Sequence, residues 1–134
     1  MRTETPQAIN LKDYTPPPFL IDTVDLDVAI FDENTRVRSR MGLRRNPSAA
    51  DPQASLCLDG EDLVLESVAL DGRMLAAGEY VLCGDRLLLR IELPESFMLE
   101  TVSLIEPDKN TQLSGFYRSK DGYFTQCEAE GFRR

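Results

Sequence analysis

The chain has 134 residues, enough for one domain, and 42% of them are apolar, enough to build a hydrophobic core. Its formal net charge of −8 argues against binding to nucleic acid or to an anionic membrane, because both require a concentrated positive field. No apolar run approaches the roughly 20 residues that cross a bilayer, and the first residues lead into no apolar signal segment, so we expect a soluble, cytoplasmic protein.

Cysteine and histidine usage narrows the chemistry further. Cys57, Cys83 and Cys127 are in no metal-binding spacing, and their odd number fits a reducing compartment better than a disulfide framework. We expect each to be a small apolar residue and not a reactive thiol. The chain contains no histidine, which excludes Ser-His-Asp and Cys-His sites and removes the usual ligands of a catalytic zinc.

Residues 1–19 show little periodicity, and the prolines at 16–18 favour an extended, polyproline-like backbone. We therefore predict an arm at 1–19, a β body at 20–121 and a terminal segment at 122–134 that has its own role.

The β body begins with two alternating stretches. Residues 24–30 alternate apolar with mostly acidic side chains, and residues 36–43 alternate arginines with apolar or small ones. Turn residues at 32–34 join the two stretches, which predicts an antiparallel hairpin. The hairpin would set Asp25 and Asp27 near the arginine row, where exposed pairs contribute roughly 0.2 to 1 kcal/mol each.

Short apolar runs separated by turn residues predict the remaining strands, at 54–58, 63–70, 80–83, 86–93, 97–105, 115–118 and from 123. Asp71-Gly72 and Asp121-Gly122 are the clearest hairpin turns. The run at 97–105 is apolar on both faces, so we expect it to be buried on both sides. No stretch predicts an amphipathic helix longer than about two turns, and the fold class is therefore all-β and antiparallel, with about eight to ten strands.

The same alternation predicts which side chains form the core, because most strands need one inward face. The residues that we expect to be largely buried are Val24, Leu26, Val28, Ile30, Val37, Met41, Leu43, Leu65, Leu89, Leu99 and Leu104.

The terminal segment begins as a strand at Tyr123 and Phe124 and then becomes polar. Gln126 and Glu128 are two residues apart, so on an extended backbone their side chains project to the same face. An amide and a carboxylate would then point together into one space. The alternative is the solvent face of an edge strand, which the spacing alone favours.

The string TQCEAEGFRR at 125–134 closely resembles the substrate-binding segment in the N-terminal domain of the M1 zinc aminopeptidases, in the bacterial aminopeptidase N branch. The stretches TPQAINLKDYTPPPFLIDTVDLDVAIFDENTRV, LDGEDLVLESVALDGRMLAAGEYVL and NTQLSGFYRSKDGYFTQCEAEGFRR resemble further parts of that domain, so the resemblance covers the whole chain. It implies a saddle-shaped, sandwich-like β-domain.

The resemblance also implies roles for individual residues. Glu128 would accept the free α-amino group of a peptide substrate, and Gln126 would line the pocket for its first side chain. A carboxylate is the natural partner for an ammonium group in a partly desolvated cleft, and it rejects a blocked N-terminus. Glu130 lies beyond this pair, and we expect it to form an ion pair with Arg133 or Arg134.

The G-x-M-E-N motif, the HExxH zinc helix and the downstream glutamate ligand of the family are missing from this sequence. We therefore expect a fragment of an enzyme that removes N-terminal amino acids from peptides, inactive alone and without bound zinc. The zinc and its ligands would belong to a catalytic domain of the same polypeptide. The alternative is a stand-alone β-sandwich module that binds partner proteins through its edges or loops.

Overall fold

The computed structural model describes residues 10–126. In this range the chain is all-β and antiparallel, as predicted, with two short 3-10 helices at Leu11–Asp13 and Pro107–Lys109. Its strands are β1 (Phe19–Ile30), β2 (Thr35–Arg45), β3 (Cys57–Asp59), β4 (Leu63–Leu70), β5 (Arg73–Met74), β6 (Tyr80–Cys83), β7 (Arg86–Leu89), β8 (Ser96–Ile105), β9 (Gly115–Ser119) and β10 (Gly122–Gln126). None of the described segments is a helix with the length and hydropathy of a membrane span.

The large sheet has the strand order β1-β2-β8-β4-β5, with antiparallel neighbours throughout. The predicted β1–β2 hairpin is confirmed, and its register places Asp25 opposite Arg40 and Asp27 opposite Arg38. Arg38 also donates a hydrogen bond of 3.0 Å to Glu100 on β8. Charged side chains therefore line one face of the sheet and leave the other face for packing.

A small sheet, ordered β3-β7-β6, packs against one end of the large sheet. Leu99 and Val68 of the large sheet are 0% and 1% exposed, and Leu89 of the small sheet is 1% exposed. The single core cluster contains Phe19, Leu43, Leu56, Val68, Leu75, Leu87, Leu89, Leu93, Phe97 and Leu99. This two-layer arrangement is what a sheet with one apolar face requires.

The end of the N-terminal arm is fixed to the body by a loop residue. The Asn46 side chain donates to the carbonyl of Pro17 at 2.8 Å, and its backbone N–H donates to the carbonyl of Pro18 at 2.9 Å. Asn46 is 9% exposed, so these bonds satisfy groups that have little access to water. Phe19 then enters β1 with its ring in the core.

The prediction of the core is right at one end of the large sheet and wrong at the other. Leu43, Leu89 and Leu99 are buried, and four more of the predicted residues are half-buried: Val37, Met41, Leu65 and Leu104. The four predicted residues of β1 are exposed, at 53% for Val24, 63% for Leu26, 47% for Val28 and 48% for Ile30. β1 is the edge strand, and these side chains lie outside the cluster that the small sheet covers.

Two further expectations are wrong because the sheet faces that they concern are not packed against another element. Met98 of β8 is 40% exposed, so β8 is not buried along both faces, although Val102 on the same face is 7% exposed. Cys57 and Cys83 are exposed, which does not fit the small apolar packing role. They pair with Leu88 and Arg86 of β7, on the face of the small sheet that points away from the core.

Two strands are shorter than the apolar runs that predicted them. The run 54–58 enters the sheet only at Cys57, although the Leu56 carbonyl before it already accepts from the Leu89 N–H of β7 at 3.0 Å. The run 86–93 leaves the sheet after Leu89, and the Arg90 N–H donates to the carbonyl of Glu79 at 2.7 Å.

The tight turn between β4 and β5 lies at Asp71-Gly72, as predicted. Both residues have positive φ, 48° and 82°, which a type I′ hairpin turn requires and which glycine adopts without strain. The Asp71 N–H donates to the carbonyl of Met98 at 2.8 Å, and its carboxylate accepts from the Met98 N–H at 2.7 Å. The turn is thereby tied to β8.

Candidate functional site

The candidate site is at the end of the β9–β10 hairpin, which forms a two-stranded sheet of its own. Ser119 pairs with Gly122, so the two-residue turn is at Lys120-Asp121, one residue earlier than predicted. Lys120 has a φ of 55°, in the left-handed region that such a turn needs. Among the described residues the register continues as far as the pair Gln126–Gly115.

Aromatic stacking stiffens both faces of this ribbon. On one face Phe116 and Tyr123 stack with ring centroids 5.6 Å apart, and the Arg118 guanidinium lies 5.5 Å from the centre of the Tyr123 ring. On the other face Tyr117 and Phe124 stack at 5.9 Å. Cross-strand aromatic pairs of this kind each contribute roughly 0.2 to 1 kcal/mol to a hairpin.

Gln126 is the last described residue of β10, and it is exposed on the face that carries Tyr117 and Phe124. Its amide offers two donors and one acceptor to whatever approaches that face. Glu128, its predicted partner, lies outside the described residues, as do Glu130 and the two C-terminal arginines that we expect beside it. The shared projection of Gln126 and Glu128 therefore stays a prediction.

Sequence reasoning missed the two side chains that anchor the hairpin. Asn110 donates to the carbonyls of Ser114 and Phe116, at 2.8 and 2.9 Å, and so fixes the entry into β9. Arg118 forms an ion pair of 3.2 Å with Asp108, on the 3-10 helix before the hairpin. A turn-forming asparagine after Pro107-Asp108-Lys109 is a local signal that could have identified the first anchor.

The described side chains of the hairpin are suited to binding through hydrogen bonds and aromatic contacts. The chain has no histidine, and the part that the structure describes contains no group of three or more histidine, cysteine, aspartate or glutamate side chains placed to hold a metal ion. The residues present therefore do not fit a catalytic zinc site. What the hairpin offers is a polar group, Gln126, held on a ribbon with stacked aromatics.

Comparison with known proteins gives a consistent set of relatives, although no protein-family model matches the chain. Aminopeptidase N of Caulobacter vibrioides is 47% identical over 133 residues, which is 99% of this chain and 15% of that protein. Aminopeptidase N of Escherichia coli is 37% identical over 131 residues, 98% of this chain and 14% of that protein. The chain thus spans about 15% of the length of the relatives that it matches.

Solved structures show the same fold. Aminopeptidase A of Legionella pneumophila, in complex with aspartic acid, superposes with a TM-score of 0.81 at 28% identity, over 90% of this chain and 14% of that one. An M1 zinc metallopeptidase of Deinococcus radiodurans superposes with a TM-score of 0.58 over 79% of this chain and 25% of that one. Its 10% identity supports the likeness of fold alone.

Proposed function

We propose that this chain, as part of the N-terminal β-domain of an M1 aminopeptidase, contributes recognition of a peptide's free N-terminus to a zinc-dependent aminopeptidase. The observation that carries the proposal is the 47% identity with an aminopeptidase N along 99% of the chain. The relatives favour this role over the stand-alone interaction module. In the full-length enzyme, zinc would be held by ligands outside this chain. It would act as a Lewis acid that activates the attacking water.

In the proposed site Glu128 binds the α-ammonium group of the substrate. A carboxylate in a partly desolvated cleft gains a charge-assisted contact with an ammonium group, and an acylated N-terminus cannot supply that contact. Recognition of the charge at the end of the peptide determines which bond is first from the end, and so makes the enzyme an exopeptidase.

Gln126 has a different proposed role. It is uncharged and lies on the same face as the exposed ring of Phe124, which is 49% exposed. We assign it to the wall of the pocket for the first side chain, where an amide discriminates among substrates by hydrogen bonding and shape. A cytoplasmic location of the whole enzyme is part of the same proposal, and the free thiols of Cys57 and Cys83 suit a reducing compartment.

The test is a set of substitutions in the full-length enzyme. Glu128→Gln keeps the shape of the side chain and removes its charge, and a charge-assisted contact is worth roughly 1.5 to 3 kcal/mol. We expect kcat/KM for peptides with a free amine to fall about 10- to 150-fold. Gln126→Ala should lower the overall rate less and change the ranking of substrates by their first side chain.

Glu130→Gln is the matched control, because it removes a carboxylate two residues further along the same segment. The assignment fails if this control costs as much activity as Glu128→Gln. It also fails if the Glu128 variant cleaves free-amine peptides at the parental rate.

A further inference from the structure

The edge strand β1 carries an apolar strip that the small sheet leaves open. We define the apolar strip as Val24, Leu26, Val28 and Ile30, whose side chains are 47% to 63% exposed. Through the registers of β2 and β8, these residues are on the same face of the large sheet as the fully buried Leu99. The strip is therefore a continuation of the core surface beyond the edge of its cover.

The opposite face of the large sheet carries charged side chains that are suited to solvent. There Arg36 forms an ion pair of 3.0 Å with Glu66, and Arg38 one of 3.0 Å with Glu100. A strand that is charged on one side and apolar on the other has the pattern of a strand with a covered face. The sequence of β1 thus specifies burial of the strip, although nothing in residues 10–126 covers it.

A groove continues the uncovered surface along the rim of the small sheet. Its apolar lining is Leu58, Leu82 and Leu87 from the small sheet, and Leu63 and Leu65 from β4. Leu63 and Leu82 are 41% and 55% exposed. By register, Leu63 and Leu65 are on the same face of the large sheet as the apolar strip. The groove offers a recess for apolar side chains of a covering surface.

The charge of β1 indicates what kind of surface fits. The strand contains Asp22, Asp25 and Asp27 and no lysine or arginine. Asp22 is paired with Arg44 at 2.9 Å. Asp25 and Asp27 lie opposite Arg40 and Arg38 of β2, on the face away from the apolar strip, and among the described residues neither forms a direct ion pair. Pairing β1 with a second copy of itself would set aspartates opposite aspartates, which is destabilising. A covering surface with basic side chains at its border avoids that repulsion.

We propose that the apolar strip and the groove are the docking surface for the polypeptide that follows this region in a full-length aminopeptidase, through an apolar surface bordered by lysine or arginine. The length of the relatives supplies such an occupant, because the chain matches only 14% to 15% of each of them. An open apolar edge strand is also an aggregation hazard that proteins normally cover. This inference rests on the proposed function, since it requires that longer polypeptide.

The test compares Leu26 with Val64 in the full-length enzyme. Val64 is 64% exposed, almost the same as Leu26 at 63%, but it pairs with Leu104 and so lies on the opposite face of the sheet. Hydroxyl-radical oxidation, read by mass spectrometry, should modify Leu26 at least about tenfold more slowly than Val64, because only Leu26 is covered. Equal oxidation of the two residues overturns the proposal.

Paired substitutions provide a second measurement on the same protein. Leu26→Asp should expose β1 to limited proteolysis about tenfold faster than in the parental enzyme, and Val64→Asp should leave the cleavage rate unchanged. The other possible occupant of the strip is a second copy of the enzyme, and sedimentation velocity tests for it. If the parental enzyme is a dimer that Leu26→Asp converts to monomers, the strip binds a second copy and the proposal is wrong.

The two proposals fail separately. If the strip is oxidised like Val64 while Glu128→Gln loses activity, the docking surface is wrong and the proposed function stands. If the strip is protected while Glu128→Gln keeps the parental rate, the docking surface stands and the recognition role is wrong.

Discussion

Arg45 joins parts of the chain that the strand order leaves apart. From the end of β2 its guanidinium group donates to the carbonyl of Pro52 at 2.8 Å and to that of Leu93 at 3.1 Å, with a longer contact of 3.4 Å to Ala54. The same group lies 5.0 Å from the centre of the Phe19 ring. One half-buried side chain thus ties the 46–56 loop and the chain after β7 to the first residue of β1.

We expect Arg45→Ala to destabilise the chain by about 3.5 to 4 kcal/mol. Each of the two shorter bonds from a charged donor contributes about 1.5 kcal/mol, at the low end of the usual range because water reaches part of the site. Loss of the guanidinium from the Phe19 ring adds about 0.5 to 1 kcal/mol. Arg45→Lys keeps the charge without the planar fork, and should cost about half as much. Urea unfolding followed by circular dichroism measures both values.

Arg44→Ala is the matched control, since it removes the neighbouring arginine from the exposed face of the same strand. Its ion pair with Asp22, at 2.9 Å, has side chains that are 47% and 51% exposed. A pair of this kind is worth at most about 1 kcal/mol. If Arg44→Ala and Arg45→Ala shift the unfolding free energy equally, the reasoning about Arg45 is refuted.

Two smaller perturbations test the hairpin and an ion pair. A Cβ atom at Gly122 would lie 2.9 Å from the Phe124 ring, so Gly122→Ala should displace that ring from Tyr117, which NMR shifts of the two rings would detect; unchanged shifts contradict this. The hydrogen bond from Arg73, and then that from the backbone N–H of residue 76, lower the pKa of Glu79. The bonded carboxylate therefore stabilises the fold above its unfolded pKa of about 4.3, and this contribution is lost as pH falls through the lower folded pKa. In urea, the advantage of the parental chain over Glu79→Gln should be constant above about pH 5, decrease as pH falls below the unfolded pKa, and vanish once pH is below the lower folded pKa. An advantage that persists at pH 2 would contradict the assignment.

The parts of the fold that the sequence predicts correctly are those that local chemistry specifies. The β1–β2 hairpin follows from alternation with a period of two, and its register places Asp25 and Asp27 opposite arginines as expected. The turn at Asp71-Gly72 follows from two residues that tolerate positive φ. Neither inference needs any knowledge of which elements pack together.

Local sequence does not specify which face of a sheet is buried by another element, or which distant segments a side chain joins. Sequence reasoning fails for both of these features. Leu26 and Leu43 lie in equally good alternating patterns, yet they are 63% and 2% exposed, because the small sheet covers only one end of the large sheet. Asn46 looks like an ordinary loop residue before a proline, and its bond to Pro17, 29 positions earlier, has no local signal. Interactions between distant segments depend on the fold and not on a window of sequence.

At the candidate site, periodicity correctly predicts a strand from residue 123 that includes Gln126, whereas the resemblance alone assigns the role of Gln126. A two-stranded ribbon is marginally stable by itself, and substrate recognition needs a side chain held to within about half an ångström. The aromatic stacks and the anchors at Asn110 and Arg118 supply part of that rigidity. In the proposed function, the rest comes from a surface that packs on the ribbon in a full-length aminopeptidase. The proposed recognition by Gln126 and the proposed burial of the apolar strip then require the same polypeptide, so we expect substrate binding to depend on the docking of this domain.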